Sequence, residues 1–424
     1  MSFEWRTKKL EDVSINLSNR RVPLSSRERQ QLKKVYPYYG AQGVIDYVDS
    51  YLFDGEFLLV AEDGENLRSR KQHIANIARG KFWVNNHAHV LLNNDESDLY
   101  YLYYYMNSID ISGYLTGSVQ PKLSKANLNN ISIVCPPIDE QKGISKILRV
   151  LDEKIELNNA INKNLEEMAQ ALFKRWFIDF EFPNENGEPY KSSGGEFEES
   201  ELGMIPKGWK LTQLEELIDI NPKRVLKKGE CKPYVEMKNI QNNYARVSKY
   251  VMREYNSGSK FSNGDVLFAR ITPCLENGKT AYVDFLKGNE VGWGSTEFLV
   301  LRSRPGIPSE FTYFLARSDQ FRSHAILSMT GSSGRQRVPE SSLRNYRVPL
   351  PVTPDLILAF GEVVKSTLNL MKRNDDESNR LIQIRDTLLP KLMSGEIRVP
   401  VDQESPQATT RQIVAEENES YNAT

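Results

Sequence analysis

Cysteine and histidine are both scarce in this chain, at three and four residues among 424. Cys135, Cys231 and Cys274 are scattered, odd in number and form no C-x-x-C pair. That excludes a disulfide framework or a cysteine zinc site and fits a reducing cytoplasm. No apolar run approaches the roughly 20 residues a membrane span requires, so no membrane partner is expected. The opening MSFEWRTKKLEDV lacks an apolar h-region, and a signal peptide is not expected. Catalytic signatures are missing as well: no glycine-rich motif for S-adenosylmethionine, no Asn-Pro-Pro-aromatic tetrapeptide and no Ser/His/Asp signature. Gly278-Lys279-Thr280 ends like a phosphate-binding loop, but the glycine needed five positions earlier is Pro273, which has no N–H to offer. Neither a cofactor nor a metal is expected, and no catalytic residue is assigned.

What is present is enough apolar material for real cores, 39% with 10% aromatics, in a chain too long for one of them. The net charge of −1 hides a segregation. Residues 1–136 carry 16 Lys and Arg against 15 Asp and Glu, while residues 137–204 carry 8 against 15. Residues 205–350 carry 23 against 14 and residues 351–424 carry 8 against 12. Two neutral-to-basic blocks are each followed by an acidic segment, which suggests a polyanion partner for the blocks.

The blocks repeat one another. WRTKKLEDVSINLSNRR from Trp5 is answered by WKLTQLEELIDINPKRV from Trp209, and DGEFLLVAEDG by NGDVLFARITP. TGSVQPKLSKANLNNISIVCPP from Thr116 is answered by TGSSGRQRVPESSLRNYRVPLP from Thr330. Gly, Asn and Asp turns between short β-rich runs predict mostly strand in each block. Helices are expected at Leu99–Asp110 and Glu310–Phe321.

A long helix-compatible segment follows each block. The expected seam runs through Ile144, Leu148, Leu151, Ile155, Leu165 and Leu172 in the first, and Phe360, Val363, Leu370, Leu381, Ile384 and Leu388 in the second. Both turn polar midway, at Asn158 and Asn162 and at Asn374 and Glu377. Such a stripe fits a coiled coil whose buried polar residues fix register. Two readings stand at this point: amphipathic helices packed separately on their own blocks, or an antiparallel pair about 60 Å long acting as a spacer. The Gly-, Ser- and Glu-rich 181–204 reads as a linker, and the tail 399–424 as disordered.

The joint order of these motifs resembles the specificity subunit of a type I restriction-modification system. GDVLFARITPCLENGKTAYV, GEFLLVAEDGENL, GKFWVNNHAHVLL, the paired TGS segments, PPIDEQKGISKIL, LFKRWF and LLPKLMSGEI carry the likeness over about residues 3–400. The resemblance implies an α+β fold: two repeated β-rich target-recognition domains, 1–136 and 205–350, separated by two long helices, 137–180 and 351–398, pairing as an antiparallel coiled coil. It implies a non-enzymatic subunit that reads a bipartite, asymmetric site in double-stranded DNA. It further implies two adenine-N6 methyltransferase subunits and restriction/translocase subunits as partners. The second helix entry, PVTPDLILAFGEVV, lacks the Glu-Gln of IDEQKGI, which puts equivalence of the two partner contacts in doubt. An orphan specificity chain without enzymatic partners, or a scaffold binding no DNA, are the competing readings.

Within this frame the candidate DNA contacts are residue types that suit phosphates or base edges. In block two they are Arg270, Asn277, Lys279, Ser332, Ser333, Arg335, Gln336 and Arg337. In block one they are Arg68, Arg70, Asn86, His87, His89, Gln120 and Lys122. Solvated turns are the ordinary alternative for Lys279, for the 331–338 segment and for the basic run at 68–71. For His87 and His89 the alternatives are internal hydrogen bonding or, with two more ligands, a metal.

Overall fold

The computed structural model describes residues 5–247, 249–332 and 334–400. From residue 401 onward the tail expected to be disordered lies outside the described residues. The chain divides into two compact units, Met1–Ile155 with Asn379–Thr424, and Glu156–Ser378. Each long helix therefore gives one half to each unit.

Unit one contains strands β1 (Arg6–Lys9), β2 (Ser14–Asn16), β3 (Tyr36–Gly40), β4 (Gly43–Val48), β5 (Phe53–Ala61), β6 (Ala75–Val84), β7 (Ala88–Asn93) and β8 (Ser132–Cys135). Six of them form one sheet in the order β2-β7-β5-β6-β3-β4, and β1 pairs with β8. The apolar run Phe57–Ala61 is buried on both faces, which makes β5 the central strand. Behind it the helix Leu99–Ser108 starts where the Asp98 carboxylate accepts from the Tyr101 amide at 2.9 Å. Its buried tyrosines join Ile144 and Leu148 of the first long helix and Leu392 and Met393 of the second in one core.

Unit two is built on the same plan, with β9 (Phe197–Ser200), β10 (Gly203–Pro206), β11 (Trp209–Gln213), β12 (Ile218–Ile220), β13 (Cys231–Val235), β14 (Val251–Glu254), β15 (Ser259–Phe261), β16 (Asp265–Ala269), β17 (Thr280–Tyr282), β18 (Gly292–Gly294), β19 (Phe298–Ser303) and β20 (Arg347–Pro351). The sheets run β12-β19-β16-β17 and β14-β13-β18-β15, and β11 pairs with β20 as β1 does with β8. A parallel Tyr–Trp register recurs in both units: Tyr38 opposite Trp83, and Tyr234 opposite Trp293. The helix Ser309–Arg317 occupies the place of Leu99–Ser108, followed directly by the helix Asp319–Leu327.

The long helices span Ile138–Phe177 and Asp355–Ser394. Within each unit their halves pair antiparallel. In unit two Asn158 meets Ser378 and Asn162 meets Asp375, while in unit one Asp152 meets Arg385 and Glu140 meets Arg398. A shared aromatic cluster binds helices to head in unit two. Phe360 is fully buried with Phe173, Trp176, Phe177, Phe311 and Phe314 within 6.4 Å.

Ile144, Leu148, Ile155 and Phe360 of the expected seam are buried, and Leu151, Leu165, Leu172, Leu381 and Leu388 partly so. Val363, Leu370 and Ile384 are instead 52%, 42% and 47% exposed, which corrects the expected stripe. The buried row runs Ile357, Phe360, Val364, Leu368, Met371. Val363 and Val364 are chemically identical neighbours, so spacing alone does not choose between them; packing around Phe360 selects the four-residue step. The 181–204 stretch, expected as a linker, also carries structure. Its β9–β10 hairpin and the stack of Phe182 on Trp209, 5.1 Å apart, use aromatics that a Glu- and Gly-rich composition masks.

Candidate nucleic-acid interface

In unit one the residues from Thr116 to Lys122 form a loop closed by two reciprocal backbone hydrogen bonds, each 2.8 Å, between Thr116 and Lys122. Gly117 has φ +84, and a Cβ there would lie 2.2 Å from the Gln120 carbonyl oxygen, so the turn needs glycine. The loop is seated on the end of β5: Leu123 N–H donates to Glu62 C=O at 2.7 Å, and Gly64 N–H to Pro121 C=O at 3.2 Å. Val119 at its tip is 92% exposed, and Gln120 is exposed beside it. Lys122 is drawn back to Glu62, 3.3 Å away, a carboxylate that also holds Arg21 at 2.7 Å. Burial pushes the Glu62 carboxyl up, but Arg21, His89 and Lys122 outweigh it and leave it below its ordinary value.

Unit two builds the same loop with different side chains. Thr330 and Arg337 exchange backbone hydrogen bonds of 3.0 and 2.9 Å, and Gly331 takes φ +119. The seat is the end of β16: Val338 N–H donates to Arg270 C=O at 2.9 Å, and Thr272 N–H to Gln336 C=O at 3.1 Å. Arg337, like Lys122, is held by a carboxylate, with its Nε and Nη2 2.7–3.0 Å from Glu297. Arg335 is exposed, and its guanidinium has no acceptor among the described residues. Ser332 is exposed and Gln336 half-buried; Ser333 lies outside the described residues. Among the described residues each loop thus presents one long polar side chain without a partner near its tip, Gln120 or Arg335, and one cation restrained by an acid.

Beside the second loop lies an open groove of about 660 Å³, lined by Lys223, Arg224, Lys260, Arg270 and Asn221, with no acidic residue in its lining. Arg270 Nη2 donates to the Val338 carbonyl at 2.9 Å, and its Nε has no partner among the described residues. Spacing did not reveal Lys223, Arg224 or Lys260. The available signal was the basic pair that follows the short strand near the start of each block, Arg20-Arg21 and Lys223-Arg224. Asn277 is exposed on the loop after Arg270, while Lys279 Nζ is tied to the Met237 carbonyl at 3.0 Å.

The remaining unit-one candidates separate. Asn86 and His87 are exposed on the turn before β7, next to the loop's seat, and His87 Nδ1 lies 2.7 Å from Asp63. His89 is 1% exposed, with Nε2 2.8 Å from the Leu123 carbonyl and Nδ1 3.3 Å from Ser18 Oγ, which leaves no nitrogen for a ligand. Because β7 starts at Ala88, the two imidazoles do not share a strand face, as a common ligand pair would need. Arg70 is structural too: its Nη2 donates to the carbonyls of Met106 and Asn107 at 3.3 and 2.8 Å, closing the end of the Leu99–Ser108 helix. Arg68 is exposed, 3.8 Å from Glu65.

A duplicated β-rich head offering a free polar loop, joined to paired helices, defines a two-domain recognition protein. The chain belongs to the type I restriction modification DNA specificity domain family, matched over residues 3–167 and 206–373. It is 39% identical over 148 residues to a putative type I restriction enzyme specificity subunit of Haemophilus influenzae, a match spanning 35% of this chain and 37% of that protein. The MjaIX specificity subunit of Methanocaldococcus jannaschii is 27% identical over 70% of this chain and 69% of its own, and the MjaVIII subunit 24% over 87% and 88%. The crystal structure of the type I restriction-modification S subunit from M. genitalium shares the fold, with TM-score 0.60 at 16% identity over 92% of this chain and 96% of that one. Among the described residues no helix is long and apolar enough to cross a membrane.

Proposed function

We propose that each unit presents its Thr-Gly-Ser loop to duplex DNA and that together they read a bipartite, asymmetric site. The observation that carries this reading is the repetition of one loop on one seat, with the exposed side chain changed from Gln120 to Arg335. Gln suits the N6/N7 edge of adenine and Arg the O6/N7 edge of guanine. A common frame with divergent tips is what reading two unlike half-sites requires. On this reading Asn86, His87, Arg68 and Lys122 supply the further contacts of the first unit. Arg270, Asn277, Lys279, Ser332, Gln336 and Arg337 supply those of the second unit, and the basic groove adds Lys223 and Lys260 as phosphate contacts. His89 and Arg70 serve the scaffold.

The target-recognition domains on this reading are residues 1–136 and 205–350, with 137–180 and 351–398 as spacer helices and 181–204 as the connection. The chain performs no chemistry itself. It acts in the cytoplasm as the DNA-reading part of a complex with two adenine-N6 methyltransferase subunits and restriction/translocase subunits. Charge supports the dependence on partners: the excess of cations is concentrated in residues 205–350, so the chain alone should bind DNA weakly and with steep salt sensitivity. Fluorescence anisotropy on a labelled duplex tests this. Tight, sequence-specific binding should appear only when the methyltransferase is added; full affinity of the isolated chain would refute the dependence. Failure of any duplex to compete would refute DNA reading altogether.

A further inference from the structure

The two loop seats match bond for bond, yet their charges do not coincide. In unit one Glu62 N–H donates to His87 C=O at 2.9 Å, Leu123 N–H to Glu62 C=O at 2.7 Å and Gly64 N–H to Pro121 C=O at 3.2 Å. In unit two the same three bonds run from Arg270 N–H to Glu297 C=O at 3.0 Å, from Val338 N–H to Arg270 C=O at 2.9 Å and from Thr272 N–H to Gln336 C=O at 3.1 Å. Glu62 therefore answers to Arg270, His87 to Glu297 and Lys122 to Arg337. The acid that restrains the loop cation stands at the end of β5 in unit one and at the entry to β19 in unit two. His87 stands where unit two has its acid, and Arg270 where unit one has it.

A carboxylate beside a surface that meets phosphates weakens binding by repulsion, so an acid at both seats calls for a compensating role. The geometry of unit two supplies one. Arg337 Nε lies 3.0 and 2.9 Å from the two Glu297 oxygens, and Nη2 lies 2.7 Å from one of them. This side-on grip uses the Nε edge of the guanidinium and leaves its outer edge, where one N–H of Nη1 and one of Nη2 point away from the chain. Nη1 makes only a long contact, 3.4 Å, with the Arg335 carbonyl. The Arg337 side chain is 44% exposed, so a ligand can reach it. Glu297 is itself fixed, since its C=O receives Arg270 N–H and its own N–H donates to Ser295 Oγ at 3.2 Å. An arginine held in one rotamer before binding gives up less freedom in forming a two-point contact. Lys122 in unit one is different in kind: an ammonium is a point charge without a planar fork, which suits a phosphate rather than a base edge.

We propose that Glu297 is a positioning residue for base reading. It fixes Arg337 so that the outer edge of the guanidinium meets O6 and N7 of one guanine in the half-site of unit two, a second base position beside the one read by Arg335. The inference rests on the reading of the Thr-Gly-Ser loops as DNA contacts. Glu297 touches no base itself; it sets the direction of an arginine that could otherwise swing to the nearest phosphate. Unit one, with a lysine at this place, reads no base there.

The test uses the full chain with the proposed methyltransferase partner, a duplex carrying the parent's mapped site and the set of its single-substitution duplexes. The variants are Arg337→Ala, Glu297→Gln and Arg335→Ala, with Glu199→Gln, an exposed acid of β9, as an equal charge change elsewhere in the unit. Arg337→Ala should lose about 5- to 150-fold of discrimination at one G·C pair, distinct from the pair relaxed by Arg335→Ala. Glu297→Gln keeps the side chain's size but loses the two-oxygen grip, and should relax that same pair by about fivefold or more. Glu199→Gln should relax none. Base edges release no counterions, so the slope of log affinity against log salt should be the same for Arg337→Ala as for the parent. Discrimination left intact in Arg337→Ala, with the slope lowered by about 0.9, would make Arg337 a phosphate contact and overturn the proposal. So would tighter binding of Glu297→Gln to every duplex with discrimination intact, which would make the acid a brake. If Arg335→Ala still relaxes its own position in either event, the loop reading stands without Glu297; if no variant alters binding to any duplex, that reading falls with it.

Discussion

Replacing Asn162 with leucine separates two accounts of the polar seam. In an ordinary coiled coil a buried asparagine fixes register at a cost in stability, so leucine should stabilise. Here Asn162 is 1% exposed and does more than face its helical partner. Its Nδ2 lies 2.8 Å from Asp375, 2.9 Å from Tyr244 OH and 3.1 Å from the Met371 carbonyl, and its Oδ1 accepts from Asn374 at 2.8 Å. Asp375 in turn meets Tyr244 OH at 2.9 Å and Arg246 at 2.7 Å, and Arg246 reaches Asp284. The network ties both long helices of unit two to its β-rich head. Neutral hydrogen bonds contribute about 1 kcal/mol each and one to a carboxylate about 2. Leucine recovers about 1.5 kcal/mol by burial. The net loss is about 3.5 kcal/mol, with Asn374 and Tyr244 left short of a partner, and corresponds to a Tm drop of roughly 7–14 °C for a unit of this size. Urea unfolding, with hydrogen exchange over residues 156–178 and 241–247 to assign the loss to unit two, measures it. Tyr244→Phe should cost about 1–2 kcal/mol, and the double variant at least about 0.5 less than the two combined. An Asn162→Leu chain as stable as the parent, or more so, would refute the tie and leave a simple register device.

Phe360→Ala removes the ring at the centre of five aromatic neighbours and should destabilise unit two by about 3–5 kcal/mol, read as a fall in the urea midpoint, whereas Val363→Ala on the exposed side should cost under about 1. Glu140 gives a pH signature in unit one. Burial pushes its carboxyl up, but the Arg398 bonds at 2.6 and 2.8 Å and Trp5 Nε1 at 3.1 Å outweigh that and hold it below its ordinary value. Its contribution is therefore present above about pH 4.5 and lost as pH falls through the lower folded value; Glu140→Gln should lower stability at neutral pH and flatten the acid limb of the Tm–pH curve. Gln120→Ala and Arg335→Ala should each relax one base position in a different half-site by about 1–3 kcal/mol of discrimination, seen by competition with single-substitution duplexes.

The duplicated plan was legible because it repeats. Trp5 and Trp209, the two TGS segments and the strand–turn runs recur in order, and the blocks fold alike. The polar middle of the helices was legible for a similar reason, since Asn158, Asn162, Asn374 and Glu377 interrupt otherwise apolar rows. Periodicity failed at Val363 and Leu370, where the adjacent Val364 and Met371 offer a second row and only tertiary packing chooses, and at Ile384, which is exposed although it continues the spacing. It failed also at His89 and Arg70, whose residue types fit DNA but whose side chains are consumed by carbonyls of their own unit. Arg337 belongs with them in part, because no local pattern links it to Glu297, 40 residues away in the chain. The groove cations Lys223 and Lys260 come from separate strands and turns, so no linear motif could join them.

The most direct test is to express the chain with the proposed methyltransferase partner and map N6-methyladenine on a plasmid by long-read sequencing, for the parent and for Arg335→Ala. A split motif with one modified adenine in each half, on opposite strands, and a loss of stringency confined to one half in the variant, is the predicted result. A single uninterrupted motif, or relaxation of both halves by that one substitution, would contradict two heads that read independently.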